Sequence, residues 1–159
     1  MMGAVFTACA CSLIAVSAAS AATISPLATG LTVVASPARA GAHDVRLTLT
    51  LRYPMQCGYP GAGPLVVTLP AAEVVPAAVP QGSVLLDGKP TAATVAGSRV
   101  TVMIASHQGP ICDVIGPGTV RLTIKSQAGF GNPPKTAKYR VTAMHARRSF
   151  SAVLAITSA

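Results

Sequence analysis

The sequence predicts an all-β fold, a β-sandwich of antiparallel sheets in one domain. Several segments alternate apolar and polar residues with the period of two that is typical of half-buried strands. The chain has 14 Gly and 13 Pro residues, which cluster between these segments. No segment shows a convincing helical period, so parallel βαβ architecture is excluded. About nine short strands at intervals of roughly 8–12 residues favour a sandwich.

Four segments carry the clearest alternation. Residues 45–52 alternate Val or Leu with Arg or Thr, and residues 120–125 and 138–143 follow the same rule. In the last segment, Phe150, Ala152, Leu154 and Ile156 form the inward face. Shorter strands are predicted over residues 31–35, 65–69, 83–86, 91–95 and 99–104.

Turn residues separate the predicted strands. Asp87-Gly88 and Ala96-Gly97-Ser98 are hairpin signals, because glycine adopts positive φ without steric cost. Ala146-Arg147-Arg148 is predicted to close the last hairpin.

The N-terminus predicts export. Residues 4–18 contain no charge, and Ala19-Ser20-Ala21 matches the small-residue pattern read by signal peptidase. The apolar run is shorter than the roughly 20 residues needed to span a bilayer. We therefore expect a signal peptide over residues 1–21 and a single domain over residues 22–159. The mature protein is expected to be secreted or associated with the cell envelope, without a transmembrane segment.

Cleavage would leave Cys57 and Cys112 as the remaining cysteines. In an oxidising compartment, such a pair is predicted to form a disulfide. It would close a loop of about 56 residues and stabilise the fold by roughly 4 kcal/mol. Each cysteine lies in a Pro/Gly-rich loop, residues 52–64 and 106–117, so the bridge is expected at one end of the sandwich. The chain has no Trp, which argues against a true immunoglobulin domain.

The chain is strongly basic, with 12 Lys and Arg against four acidic residues and a net charge of +8. This charge favours anionic partners such as wall polymers, acidic glycans or phospholipid head groups, or it simply keeps the protein dispersed. If adjacent strands pair, six cations are expected to form a basic face; the alternative is a solvated polar sheet face. The six are Arg121, Lys125, Lys138, Arg140, Arg147 and Arg148. Nucleic acid is not expected as a partner, because no aromatic residues are interleaved for stacking.

Residues from Pro64 to the C-terminus contain a series of short motifs. They include Leu65–Pro70, Ser83–Gly88, Val95–Val102, Gly118–Leu122 and, most specifically, Ala128–Pro133 followed by Ala137–Val141. This series resembles the Ig-like β-sandwich modules of Gram-positive surface and exported proteins. Lys138 stands where those modules usually have Gly, and the cysteine pair is additional. The resemblance implies an extracellular spacer or adhesion unit without catalysis.

Catalysis is not expected. Asp44, Glu73, Asp87 and Asp113 are the only acidic residues, and general acid–base chemistry requires two poised groups in one cleft. The sequence has no nucleophile elbow, phosphate-binding loop or dinucleotide fingerprint. We therefore expect neither a catalytic residue nor a cofactor.

The sequence suggests two further kinds of functional site, a site for a soft metal such as copper and a recognition patch. Copper-type ligands are His43, Met55, Cys57, Met103, His107, Cys112, Met144 and His145, although a disulfide would remove both cysteines. The candidate binding loop comprises Tyr53, Met55, Gln56, Tyr59 and His107. Alternatively, these tyrosines cover the disulfide and the open end of the core.

The leading expectation is a secreted, non-enzymatic β-sandwich that acts as a structural or interaction module of the cell envelope. The second is a binding module for an anionic cell-wall polymer or glycan, and the third is an extracellular copper-binding protein. A surface protein is a further possible partner of the first.

Overall fold

A computed structural model describes residues 30–53, 62–105 and 118–158. Within these residues, ten strands form two five-stranded antiparallel sheets. The strands are β1 (Gly30–Ser36), β2 (Arg46–Arg52), β3 (Gly63–Thr68), β4 (Val84–Leu86), β5 (Lys89–Pro90), β6 (Ala93–Ala96), β7 (Arg99–Ile104), β8 (Thr119–Ile124), β9 (Ala137–His145) and β10 (Arg148–Ile156). The all-β prediction is confirmed, and the helical content of the described residues is one 3-10 turn, Ser126–Ala128.

The first sheet has the strand order β1-β2-β8-β4-β5, and the second has the order β10-β9-β3-β7-β6. The alternating segments place their apolar residues between the sheets. Leu47, Leu49 and Leu51 are fully buried in the first sheet, and Leu65 and Val67 are fully buried in the second. Burial of side chains of this size typically contributes about 1.5–3 kcal/mol each.

All nine predicted strands are present, with shifts of up to a few residues at their ends. The tenth, β5, is a two-residue strand that pairs with β4 across the Asp87-Gly88 turn. The other two predicted turns are confirmed as well: Gly97-Ser98 connects β6 to β7, and Ala146-Arg147 connects β9 to β10.

The two ends of the sandwich differ. At one end, which we call the loop end, Arg52 pairs with Thr119 and Gly63 pairs with Ile104. The segments between β2 and β3 and between β7 and β8 therefore both leave from this end. They contain Cys57 and Cys112, which lie outside the described residues, as does the predicted signal peptide.

The opposite end, called the far end, is closed by buried loop residues. Phe130 is fully buried there, and its carbonyl accepts a hydrogen bond from the Val45 amide just before β2. Asn132 is also buried, and its side-chain amide donates to the carbonyl oxygens of Pro37 and Arg39, each at 2.8 Å. These contacts fix the connection between β1 and β2 against the connection between β8 and β9.

In the part of the chain that the structure describes, no helix is long and apolar enough to cross a membrane.

Candidate functional surfaces

The loop end of the core holds a cluster of three rings. Tyr53 follows β2, and its ring meets His145 edge to face with centroids 5.6 Å apart. The ring of Phe150 in β10 also meets Tyr53 edge to face, with centroids 5.2 Å apart. Tyr53 is only 6% exposed, so it does not offer an open platform for a glycan. Its position matches the alternative interpretation, in which it covers the open end of the core.

The other members of the candidate binding loop are Met55, Gln56, Tyr59 and His107. All four lie outside the described residues.

The ring cluster is uncharged at neutral pH. Burial raises the pKa of Tyr53 to about 12 and lowers the pKa of His145. The hydroxyl of Tyr53 and both ring nitrogens of His145 are buried, and among the described residues none of the three has a hydrogen-bond partner.

The predicted basic face does not form as one surface. Arg121 and Lys125 lie on the first sheet, whereas Lys138 and Arg140 lie on the second, because β8 and β9 belong to different sheets. The connection between these strands, residues 125–136, crosses from one sheet to the other instead of closing a hairpin. Arg147 and Arg148 are exposed at the β9–β10 turn and belong with the second sheet.

Each sheet nevertheless has cations on its outer face. The first sheet carries Arg46, Arg52 and Arg121 at positions that alternate with the buried residues of β2 and β8, and Lys125 directly follows β8. It also carries Asp87, whose carboxylate accepts a 2.7 Å hydrogen bond from the Arg121 amide. The second sheet carries Arg99, Lys138 and Arg140, and its five strands contain no acidic residue.

Apolar side chains are exposed on the second sheet. Met103 is 60% exposed and Met144 is 54% exposed, and Val153 is 59% exposed. Neither methionine lies at a sheet edge, because β7 and β9 are interior strands whose outward positions carry these side chains into solvent. On the first sheet, Val34 is the exposed counterpart, at 60%.

The copper-type ligands are not assembled among the described residues. Met144 and His145 are consecutive in β9, so they point to opposite faces of the sheet, and Met144 is exposed while His145 is buried. His43 is exposed at the far end. Within the described ranges, no group of three or more His, Cys, Asp or Glu residues could hold a metal ion. The remaining proposed ligands (Met55, Cys57, His107 and Cys112) lie outside those ranges.

Sequence reasoning overlooked a buried carboxyl group. Glu73 is 7% exposed, and neither of its carboxylate oxygens has a hydrogen-bond partner among the described residues. Burial raises the pKa of Glu73 to about 7. Its position within the apolar stretch 69–80, which has no other charged residue, is the one available sequence signal.

Glu73 and His145 lie at opposite ends of the sandwich. Gly63 begins β3 beside His145, where an added Cβ would lie 3.8 Å from Nε2. Glu73 comes after the other end of this six-residue strand, and a strand of that length spans about 20 Å. The two groups are therefore too far apart to act on one substrate as an acid–base pair.

No protein-family model and no curated protein sequence matches this chain. The crystal structure of BslA, described as a bacterial hydrophobin, is similar in fold, with a TM-score of 0.52 and 16% sequence identity. The match covers 83% of this chain and 100% of the BslA chain. This likeness supports the fold, and the resemblance of residues 64–159 to Ig-like modules stays a prediction.

Proposed function

We propose that this protein is a secreted, non-enzymatic β-sandwich that acts as a structural or interaction module of the cell envelope. The observation that carries the proposal is the fold of two five-stranded antiparallel sheets, which the chain shares with BslA. The outer faces of the two sheets carry cations and exposed apolar side chains, and these faces are the surfaces with which such a module would contact other envelope components.

Two likenesses support an extracellular role. BslA, which is similar in fold, is described as a bacterial hydrophobin. The sequence series ending in Ala128–Pro133 and Ala137–Val141 resembles Ig-like modules of exported proteins. The predicted signal peptide over residues 1–21 agrees with both.

The proposal includes a Cys57–Cys112 disulfide. The segments that contain the two cysteines both leave from the loop end, between strand ends fixed by the Arg52–Thr119 and Gly63–Ile104 pairs. A bridge between them would join these two segments at one end of the sandwich.

A test of the proposed location uses intact cells of the source organism that express the protein with a C-terminal epitope tag. We expect externally added protease to remove the tag from intact cells, or the tagged protein to appear in the medium. A cytoplasmic tagged protein with the same epitope serves as the control for cell integrity. Recovery of the protein only in the protease-protected cytoplasmic fraction would contradict the proposal.

A second candidate function, binding of an anionic wall polymer, is favoured by the cations on both outer faces. Because these charges face water, such binding should be lost at high salt. Two charge-reversal variants measure the contribution of each face to this binding. One is Arg121→Glu with Lys125→Glu on the first sheet, and the other is Lys138→Glu with Arg140→Glu on the second. Retention on purified cell wall that neither pair alters would contradict this candidate.

A further inference from the structure

Four apolar residues form a continuous group on the outer face of the second sheet. Met144 of β9 pairs with Val66 of β3, and Pro64, two residues before Val66, pairs with Met103 of β7. Side chains at paired positions, and at alternate positions along one strand, are neighbours on the same face. We call Pro64, Val66, Met103 and Met144 the methionine patch; three of the four are exposed and Val66 is partly exposed.

Cations lie on the same face beyond the patch, separated from it by Thr101 and Thr142. Arg99 pairs with Thr68 on the same face, and Arg140 pairs with Val153, which adds another exposed aliphatic side chain. Lys138 lies two residues further along β9. The strands of this sheet contain neither Asp nor Glu, so the face combines apolar area with positive charge alone.

We propose that the outer face of the second sheet docks on an anionic lipid surface. The inference rests on the proposed function, since it supplies the partner that an envelope module would contact. Lipid head groups with negative charge would neutralise Arg99, Lys138 and Arg140, while the methionine and valine side chains enter the boundary between head groups and acyl chains. Methionine is well suited to such a disordered apolar surface, because its unbranched side chain is flexible and polarizable.

Other occupants match the face less well. A second copy docked through the same face would bring cations towards cations, with no acidic residue in the strands of that sheet to pair with them. A highly charged polymer would neutralise the cations but would leave Met103 and Met144 in water. A lipid surface matches both the charge and the apolar area.

The first sheet provides a matched comparison on the same molecule. Its outer face has cations, including Arg46 and Arg121, and it carries outward threonines, as the second sheet does, but no methionine. Its apolar side chains are Val34, which is exposed, and the paired Leu85 and Pro90 near the sheet edge, and Asp87 adds negative charge beside Arg121. We therefore expect this face to contribute little to lipid binding.

The test measures flotation of the purified protein with vesicles of phosphatidylcholine alone or with about 30% phosphatidylglycerol. We expect binding to the anionic vesicles at least about tenfold stronger than to the neutral ones. The double substitution Met103→Gln/Met144→Gln is expected to reduce anionic binding about tenfold or more, because it removes the apolar contact. Arg99→Gln/Arg140→Gln is expected to reduce it similarly and to weaken its salt dependence.

The control is Val34→Gln/Arg46→Gln, which removes one exposed aliphatic side chain and one cation from the first sheet. We expect it to bind like the unaltered protein, and circular dichroism should show that all variants are folded. Equal binding to neutral and anionic vesicles, or equal losses in the control and the methionine variant, would overturn the proposal. The proposal would also be overturned, in favour of a polymer, by a protein that does not bind vesicles but binds a soluble polyanion. In that case the polyanion binding would persist in the Met103→Gln/Met144→Gln variant. A protein found at the cell surface that ignores vesicles would refute this inference alone.

Discussion

Tyr53 and His145 join the two sheets at the loop end of the core. Tyr53 directly follows β2 in the first sheet and His145 is the last residue of β9 in the second, and their rings meet at an interplanar angle of 84°. Edge-to-face pairs of this kind contribute about 0.5–1.5 kcal/mol beyond the area that they bury. The contact lies at the end of the sandwich from which the segments containing Cys57 and Cys112 leave.

Replacement of His145 by Phe should stabilise the protein. The substitution keeps a ring against Tyr53 and removes two buried nitrogens that have no hydrogen-bond partner among the described residues. We expect a gain of about 1–2 kcal/mol in the free energy of unfolding at pH 7, measured by urea denaturation. His145→Leu, which is less bulky, distinguishes loss of the polar atoms from crowding by the larger ring. A loss of stability in both variants would show that the imidazole makes a needed polar contact.

The same variant should also be less sensitive to acid. Because the pKa of His145 is lowered in the folded protein, the unfolded state binds the proton more readily. The contribution of uncharged His145 to the free energy of unfolding is therefore complete above the unfolded pKa of 6.5. It is lost as the pH falls from there through the folded pKa. We expect the difference in stability between His145→Phe and the unaltered protein to grow below pH 6.5. A constant difference from pH 8 to pH 4 would contradict this prediction.

Glu73 should have the opposite pH dependence. Burial raises its pKa from 4.5 to about 7, so the folded state binds the proton more readily than the unfolded state. The stabilising effect is complete below pH 4.5 and is lost as the pH rises through about 7. The contribution of Glu73 to the free energy of unfolding therefore falls by about 3 kcal/mol between pH 4.5 and about 7.

Glu73→Gln should remove this pH dependence, because the amide does not ionise. We expect the variant to gain stability relative to the unaltered protein as the pH rises from 4.5 to 8, by about 3 kcal/mol in urea denaturation. The exposed Asp44→Asn is the control and should leave the profile unchanged. Parallel profiles for Glu73→Gln and the unaltered protein would show that Glu73 is not buried as described.

Asn132 is predicted to stabilise the loops that close the far end of the sandwich. Its side chain donates hydrogen bonds to two carbonyl oxygens and is 1% exposed. Asn132→Ala should cost about 2–3 kcal/mol in thermal or urea unfolding, and Asn132→Asp should cost more, because a carboxylate would face both carbonyls. The nearby exposed Gln127→Ala should change the stability by no more than about 0.5 kcal/mol. Equal stability of the Asp and Asn forms would contradict this assignment.

The strands and turns could be predicted from the sequence because they depend on local patterns. Alternation in residues 45–52 predicts which side chains of β2 are buried, and Asp87-Gly88 has the positive φ values, 49° and 81°, that this turn chemistry predicts. The Ala146-Arg147 turn also has both φ values positive, at 48° and 63°, although it lacks glycine. There, pairing of the long strands β9 and β10 compensates for the unfavourable turn residues.

The candidate site was harder to predict, because period-two alternation does not specify which strands pair. Arg121 and Lys138 lie close in sequence but belong to different sheets, so a single basic face was inferred where two exist. Alternation also does not prevent an apolar side chain from occupying an outward position, as Met103 and Met144 do. Glu73 lies in a connection between strands, where no periodic pattern indicates burial.

The intact mass of the protein recovered from outside the cells, measured without reduction, tests the account most directly. We predict a chain that begins near Ala22, with a mass two hydrogens below that of the same chain after reduction, as one Cys57–Cys112 bridge requires. Recovery only from the cytoplasm, with residue 1 or 2 at the N-terminus and free thiols on Cys57 and Cys112, would contradict the account of a disulfide-linked extracellular module.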